Sequence, residues 1–200
     1  MSTRLNAPSG SIEIRQTTLP DVLLLVPVVH GDERGFFHET FRRDGLAGSA
    51  LAEVEFPQEN HSRSSAGVLR GMHFQVGAGL GKLVRCARGA IFDVAIDLRR
   101  GSPTYGMWEG FELDDRNLHQ LWIPAGFAHG FYTRSELADV IYKQTDYYAP
   151  ELERSIAWND PEIGVRWQLE REPLLAARDA QAPALRDIAD ELPFVYGAPS

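Results

Sequence analysis

Short apolar stretches separated by turn-forming residues recur along most of this chain of 200 residues. The stretches are rich in β-branched and aromatic side chains, with Gly, Pro, Asn or Asp between them, which is the pattern of consecutive short β-strands. The predicted strands are residues 12–16, 22–30, 36–41, 54–60, 68–75, 82–87, 90–98, 105–113, 119–123, 130–134 and 138–147. Only residues 43–53 and 184–192 favour a helix, the second because Leu185, Ile188 and Leu192 share one helical face.

Many short strands with few helices predict an all-β sandwich or barrel, and a double-sheet jelly roll suits a chain that encloses a polar pocket. Residues 91–98 alternate in a way that bears on such a pocket. Apolar side chains fill one face of this strand, while Asp93, Ala95 and Asp97 fill the other. The acidic face points either to solvent or into a polar cavity, and the alternation fits both arrangements.

Composition restricts the function classes. The 20 basic and 28 acidic residues give a formal net charge of -8, which argues against a broad nucleic-acid-binding face. The single Cys86 excludes an internal disulfide and any multi-cysteine metal site, as is typical of a reducing compartment. No apolar run is long enough to span a membrane, and no signal-peptide pattern is recognised. We therefore expect one domain over residues 1–200, in the cytoplasm, with neither a membrane nor a nucleic-acid partner.

The histidines raise the question of a metal site. Metal-binding jelly rolls combine histidines on one strand with a nearby Glu and a further His on a later strand, because a divalent ion needs three or more converging ligands. Here Gln75 occupies the position two residues after His73, no Glu occurs between Phe74 and Asp93, and His129 lies on a later strand. Two imidazoles without a carboxylate make a poor site, so we expect no metal and no other cofactor.

A metal-free cavity with the same residues could transfer protons. His73 is a candidate base because imidazole exchanges a proton near neutral pH. Tyr142 is a candidate acid, since a phenol keeps its proton up to a pKa of about 10. Lys82, Arg70 and His129 could stabilise an oxyanion. Taken singly, a core tyrosine and a solvated strand lysine explain these residues equally well; together they form the set that proton transfer requires.

Two arginines pose separate questions. Arg70 and His73 are an odd number of residues apart, so both line one pocket only if the strand bulges between them, and Gly71 is where that would occur. Arg34 stands between glycines in the stretch 31–39. It is either a phosphate ligand in a glycine-flanked turn or a surface charge in a hairpin.

Ten motifs in order resemble the dTDP-4-dehydrorhamnose 3,5-epimerase family. They are RGFFHE at 34–39, FPQENHS at 56–62, GVLRGMHFQ at 67–75, KLVR at 82–85, FDVAIDLR at 92–99, GSPTYG at 101–106, GFAHGF at 126–131, YK at 142–143, YYAP at 147–150 and WNDP at 158–161. The resemblance runs from about residue 22 to about residue 193. It implies a metal-free jelly roll of the cupin type, in a homodimer that exchanges N-terminal strands, with a helical tail at about 184–192.

The resemblance also implies roles for individual residues. His73 corresponds to the base and Tyr142 to the acid. Asp179 corresponds to the carboxylate that pairs with the histidine, and Asp93 is the alternative for that role. Positions that hold the diphosphate or the sugar ketone correspond to Arg34, Arg70, Lys82 and His129. Positions that contact the nucleotide or sugar correspond to Glu39, Gln58, Asn60 and Glu153, and Tyr148 to the aromatic ring that stacks on thymine.

The implied substrate is dTDP-4-dehydro-6-deoxy-D-glucose, whose C4 ketone acidifies the hydrogens on C3 and C5. Removing one gives an enolate, and returning a proton from the opposite face inverts the carbon, so no nicotinamide is needed. A mono-epimerase or keto-sugar isomerase on the same scaffold remains an alternative. So do a jelly roll that binds a nucleotide sugar without catalysis and a metal-dependent cupin oxygenase.

Overall fold

A computed structural model describes residues 12–197, so both ends of the predicted domain lie outside the described residues. The strands are β1 Ile12–Gln16, β2 Leu23–Pro27, β3 Val29–Asp32, β4 Gly35–His38, β5 Gln58–Ser65, β6 Leu69–Gln75, β7 Lys82–Arg88, β8 Ala90–Asp97, β9 Trp108–Asp114, β10 Gln120–Ile123, β11 Phe127–Thr133, β12 Leu137–Gln144 and β13 Glu153–Ser155. The helices are α1 Ala177–Ala180 and α2 Leu185–Ile188, with short 3₁₀ helices at Asp44–Leu46, Pro150–Leu152 and Ala189–Glu191. No helix within the described part of the chain is long and apolar enough to cross a membrane.

The strands form two large antiparallel sheets. The first sheet has the order β1-β2-β10-β7-β12-β5, and the second has the order β13-β6-β11-β8-β9. Strands β3 and β4 form a separate hairpin. Apart from β1-β2 and β8-β9, neighbours in the two sheets are not consecutive in the chain, as in a jelly roll, and the all-β double-sheet architecture predicted from the sequence is confirmed.

Strand β8 is buried on both faces. Its apolar face packs on one core cluster that includes Trp167, Leu185, Leu192 and Phe194, so the C-terminal segment covers the outer side of the second sheet. Its other face points between the two sheets, where Ala95 joins a second cluster. Asp93 and Asp97 are fully buried, so the acidic face of this strand does not point to solvent.

The helix predicted at residues 43–53 is wrong. Only the 3₁₀ helix Asp44–Leu46 forms there, followed by turns. Gly48 has a φ of +77°, a left-handed conformation that ends the helix, and the Ser49 hydroxyl donates to the Leu46 carbonyl. Leu46 and Leu51 are both buried in a third core cluster. Tertiary packing therefore overrides the local helical pattern.

Other boundaries also differ from the predictions. Residues 22–30 divide into β2 and β3, and the strand predicted at 54–60 begins at Gln58 and continues to Ser65. β5 has few apolar side chains because its inner face lines a polar cavity, so hydrophobicity gave a poor signal for it. The C-terminal helical stretch at 184–192 is confirmed as α2 followed by a 3₁₀ helix, and α1 forms outside the two segments that were predicted to be helical.

Candidate active site

A cavity of about 610 Å³ opens between the two sheets. Strands β5, β6, β7, β11 and β12 contribute inward-facing side chains, and α1 and the segment before β13 close one side. Every residue that the sequence predicted for the site lines this cavity except Arg34 and Glu39. The lining members of that set are Gln58, Asn60, Arg70, His73, Lys82, His129, Tyr142, Tyr148, Glu153 and Asp179.

A bulge in β6 brings Arg70 and His73 to the same cavity. His73 pairs with His129 and Arg70 with Phe131, so a step of three residues along β6 matches a step of two along β11. Gly71, inside the bulge, has a φ of +126°, and a Cβ there would lie 2.5 Å from the Gly130 Cα. The bulge predicted at Gly71 is therefore confirmed, and glycine is the residue that both the backbone angle and the close strand approach require.

His73 is paired with Asp179. The His73 Nε2 lies 2.7 Å from the Asp179 Oδ1, and the Gly71 amide donates to Oδ2 at 3.3 Å. Burial acts to raise the pKa of Asp179, but the hydrogen bond and charge of His73 and the Gly71 amide outweigh it, so this pKa lies below its usual range. The carboxylate therefore stays ionised and accepts the Nε2 proton, which leaves the lone pair of a neutral His73 on Nδ1.

Asp93, the rival partner for His73, pairs with His129 instead. Its two oxygens lie 3.0 and 2.9 Å from the His129 Nε2. Burial lowers the pKa of His129, as do the charges of Lys82 and His73, against the opposing effect of Asp93. A neutral His129 whose Nε2 proton is held by Asp93 offers a hydrogen-bond acceptor at Nδ1, so it adds no positive charge near neutral pH.

Lys82 is the buried cation of the cavity. It lies on β7 with 9% of its surface exposed. Burial lowers its pKa from 10.5 to about 8, although the charges of Glu153 and Asp93 act to raise it. The ammonium is therefore mostly protonated at neutral pH while little water screens it, which strengthens its attraction for a nearby negative oxygen.

Tyr142 lies on β12 opposite Asn60 of β5. It is partly buried, and burial raises the pKa of its hydroxyl above the usual 10. The phenol is therefore protonated at neutral pH and available as a proton donor to the cavity.

The mouth of the cavity holds a hydrogen-bonded group that the sequence reasoning found only in part. The Tyr148 hydroxyl donates to the Glu153 Oε2 at 2.7 Å, and Arg178 Nη1 donates to the same oxygen at 2.6 Å. The Gln58 Oε1 accepts from the Tyr148 amide at 2.9 Å. We did not predict Arg178. Its position beside Asp179 in the chain was the available signal.

Arg34 and Glu39 lie away from this cavity. Arg34 is in the β3–β4 hairpin, with 86% of its side chain exposed and an ion pair to Asp32. Glu39 follows the hairpin and pairs with Arg42 at 3.3 Å. In the single chain these two predicted residues are therefore separated from the other site residues.

Within residues 12–197, no three His, Cys, Asp or Glu side chains are grouped in a way that could hold a metal ion. His73 and His129 each face a single carboxylate.

Comparison with solved structures gives the class. A dTDP-6-deoxy-D-glucose-3,5-epimerase from Legionella pneumophila, solved with dTDP-4-keto-L-rhamnose, superposes with a TM-score of 0.88 at 45% identity, covering 94% of this chain and 100% of that one. A 3'-monoepimerase from Streptomyces bikiniensis, solved with dTDP-quinovose, has a TM-score of 0.81 at 34% identity, covering 88% and 89%. The fold is thus the cupin-type jelly roll of sugar epimerases, which are isomerases.

Sequence comparison gives the family. The family model described as dTDP-4-dehydrorhamnose 3,5-epimerase matches residues 16–187. The dTDP-4-dehydrorhamnose 3,5-epimerase of Pseudomonas aeruginosa is 53% identical over 169 residues, covering 84% of this chain and 93% of the relative. The chain belongs to the dTDP-4-dehydrorhamnose 3,5-epimerase family.

Proposed function

We propose that this protein inverts C3 and C5 of dTDP-4-dehydro-6-deoxy-D-glucose by proton abstraction and reprotonation through an enolate, in dTDP-L-rhamnose or related deoxysugar biosynthesis. The observation that carries the proposal is the presence of a carboxylate-paired His73, a protonated Tyr142 and a buried Lys82 around one cavity. These are the base, the acid and the cation that the reaction needs. The similarity to a relative solved with a keto-rhamnose nucleotide supports the same substrate class.

In this mechanism His73 is the base and Nδ1 is its reacting atom. The Asp179 carboxylate accepts the Nε2 proton, so a neutral imidazole directs its lone pair away from Asp179. When Nδ1 takes a proton from C3 or C5, the imidazolium that forms is stabilised by the adjacent carboxylate. Asp179 thereby acts on both the tautomer and the charge of His73.

Lys82 stabilises the enolate. Deprotonation beside the C4 ketone moves negative charge onto the ketone oxygen, and a buried ammonium interacts with that charge with little screening by water. Arg70, on β6 of the other sheet, provides a second positive group in the same cavity. His129 is neutral near pH 7 and serves as a hydrogen-bond acceptor for a substrate hydroxyl.

Tyr142 returns the proton from the opposite face of the sugar. Inversion requires the donor and the base to flank the ring, and Tyr142 comes from the sheet opposite the one that carries His73. Its raised pKa keeps the hydroxyl protonated until the enolate forms. Tyr148, Glu153, Gln58 and Asn60 would then contact the nucleotide or the sugar near the mouth.

The test is proton NMR of the substrate in D2O with three variants. His73→Ala should abolish both turnover and loss of the C3 and C5 proton signals. Tyr142→Phe should still exchange protons while forming far less inverted product. His119→Ala removes a histidine outside the cavity and should behave like the unmodified protein. Unchanged turnover in His73→Ala would disprove the assignment of the base.

A mono-epimerase is the second candidate, and the structural similarity to the Streptomyces bikiniensis 3'-monoepimerase favours keeping it. The configuration of the product separates the two activities. Inversion at both carbons supports the 3,5-epimerase, whereas inversion at only one selects the mono-epimerase.

We also propose a homodimer in which N-terminal strands are exchanged. The β3–β4 hairpin exposes Phe36 at 59% and Phe37 at 67%, as a segment that packs against a second copy would. Such an exchange would place Arg34 and Glu39 at the partner's cavity. Light scattering tests the dimer itself, and a monomer would disprove it.

Mixed dimers test the exchange. If Arg34 completes the partner's site, then a dimer of one Arg34→Ala chain and one His73→Ala chain contains one intact site. Co-expression of the two inactive variants should therefore restore about a quarter of normal activity. If Arg34 instead acts within its own chain, co-expression restores nothing, because every site then contains one defect.

A further inference from the structure

Ser62 carries a buried hydroxyl without a partner. Three buried side-chain atoms within residues 12–197 lack a hydrogen-bond partner, namely His38 Nδ1, Ser62 Oγ and Thr133 Oγ1. Of these residues, Ser62 alone lines the cavity between the sheets. A buried hydroxyl without a partner destabilises the folded state, so a ligand in the cavity is the natural source of the missing partner.

The neighbours of Ser62 on the inner face of β5 are all hydrogen-bonded. Gln58 donates to the Asn60 Oδ1 at 3.0 Å, and Asn60 donates to the Gln144 Oε1 at 2.8 Å. Ser64 accepts from the Arg70 Nε at 3.0 Å. The row of polar side chains along this face is therefore complete within the protein at every position except Ser62.

The alternation of β5 places the Ser62 side chain on the cavity side. The side chains of His61 and Arg63, its neighbours in the chain, both contact Asp139 and are more than half exposed, so they point away from the side of Asn60 and Ser64, although His61 also borders the cavity. Ser62 has the same orientation as Asn60 and Ser64. Rotation about χ1, which exchanges staggered serine rotamers, moves its hydroxyl along the cavity wall without any backbone change.

Ser62 also lies between two groups of the proposed mechanism. Its pairing partner on β12 is Val140, whereas Asn60 pairs with Tyr142. Ser62 is therefore the next inward-facing residue of β5 after the one that lies beside Tyr142. In the other direction the next inward-facing residue is Ser64, which holds Arg70. Residues two positions apart in a strand are separated by about 7 Å along it, so Ser62 lies about 7 Å from both Asn60 and Ser64. A substrate that reaches both Tyr142 and Arg70 must pass over Ser62.

We propose that Ser62 is a substrate-binding residue whose hydroxyl forms a hydrogen bond with an oxygen of the bound nucleotide sugar, either in the hexose or in its phosphate. The inference rests on the proposed function and adds a contact to it. The hydroxyl, which has no partner within the protein, destabilises the empty protein and gains a partner when the substrate binds. The Ser62 hydroxyl thus lowers the stability of the empty protein and raises its affinity for the substrate.

The test compares Ser62→Ala with Thr133→Val. Each variant removes a buried hydroxyl without a partner, but Thr133 does not line the cavity. Both should have a Tm equal to or above that of the unmodified protein. Ser62→Ala should lower kcat/KM by about three- to tenfold, mainly through KM, which is the effect of one neutral hydrogen bond. Thr133→Val should keep normal kinetics.

Calorimetry with dTDP identifies the oxygen. If Ser62→Ala weakens dTDP binding as much as it raises KM, the hydroxyl binds phosphate; if dTDP binds normally while KM rises, it binds the hexose. Normal KM and normal dTDP affinity in Ser62→Ala would overturn the inference. That result differs from a failure of the proposed function, in which the unmodified protein itself would not epimerise the substrate.

Discussion

Replacing Lys82 with Met should make the protein more stable and much less active. The ammonium is buried in the cavity, and in the described part of the chain it forms no ion pair within 4 Å. Methionine has a similar length, carries no charge and adapts well to irregular space. The substitution therefore removes a buried charge while retaining most of the packing.

The pKa of Lys82 sets the magnitude. Its fall from 10.5 to about 8 corresponds to a cost of about 3 kcal/mol for burying the charge, at about 1.4 kcal/mol per pKa unit. Between pH 8 and 10.5 the unfolded chain binds the proton and the folded chain does not, so the stability of the unmodified protein rises with pH across this window. Below pH 8 the full cost is present.

Urea unfolding of both proteins at several pH values is the assay. At pH 7, Lys82→Met should be more stable by about 3 kcal/mol, and the difference should shrink as the pH rises towards 10.5. Turnover should fall by roughly a hundredfold to a thousandfold, as expected on losing a group that stabilises an oxyanion. Lys143→Met is the matched control, because Lys143 is partly exposed and paired with Glu59, and this variant should gain no stability.

Equal stability of the Lys82→Met and unmodified proteins at pH 7 would refute the reasoning, since it would mean that the buried ammonium carries no cost. A stability difference that is constant from pH 7 to 10.5 would also refute it, because the cost would then not depend on the charge. A stabilised variant with normal turnover would support the burial argument and remove Lys82 from the mechanism.

Three further predictions concern the cavity. Asp179→Asn should lower kcat by about a hundredfold to ten-thousandfold in steady-state assays, because an amide that donates to Nε2 moves the His73 proton to Nδ1; normal kcat would contradict this. Turnover should decline as the pH rises past about 8, and Lys82→Arg should move any remaining alkaline decline to higher pH. Gly71→Ala should lower stability by about 3 kcal/mol or more in urea unfolding, since its Cβ would meet the Gly130 backbone; a loss below 1 kcal/mol would contradict the close approach.

The polar lining of the cavity limited what could be predicted from the pattern of hydrophobic positions. Strand β8 was placed within one residue of its bounds because its apolar alternation is strong. Strand β5 was misplaced because its inner face carries polar side chains, and a strand that faces a polar cavity lacks the usual hydrophobic signal. The same absence concealed Ser62, and Arg178 was missed because a single arginine outside the recognised motifs carries no pattern.

The amino-acid sequence by itself determined the strand-rich class and the groups that proton transfer needs, namely His73, Tyr142 and Lys82. Strand alternation has a two-residue period that is visible locally. The β6 bulge at Gly71 was predicted because Arg70 and His73 are an odd number of residues apart and could share a cavity only across a bulge. The tertiary structure decided which groups act together. His73 pairs with Asp179, which lies 106 residues away in the chain, whereas Asp93 pairs with His129. It also set the pKa of Lys82, because burial depends on neighbours from other strands, and no local pattern encodes which distant side chains exclude water from a given atom.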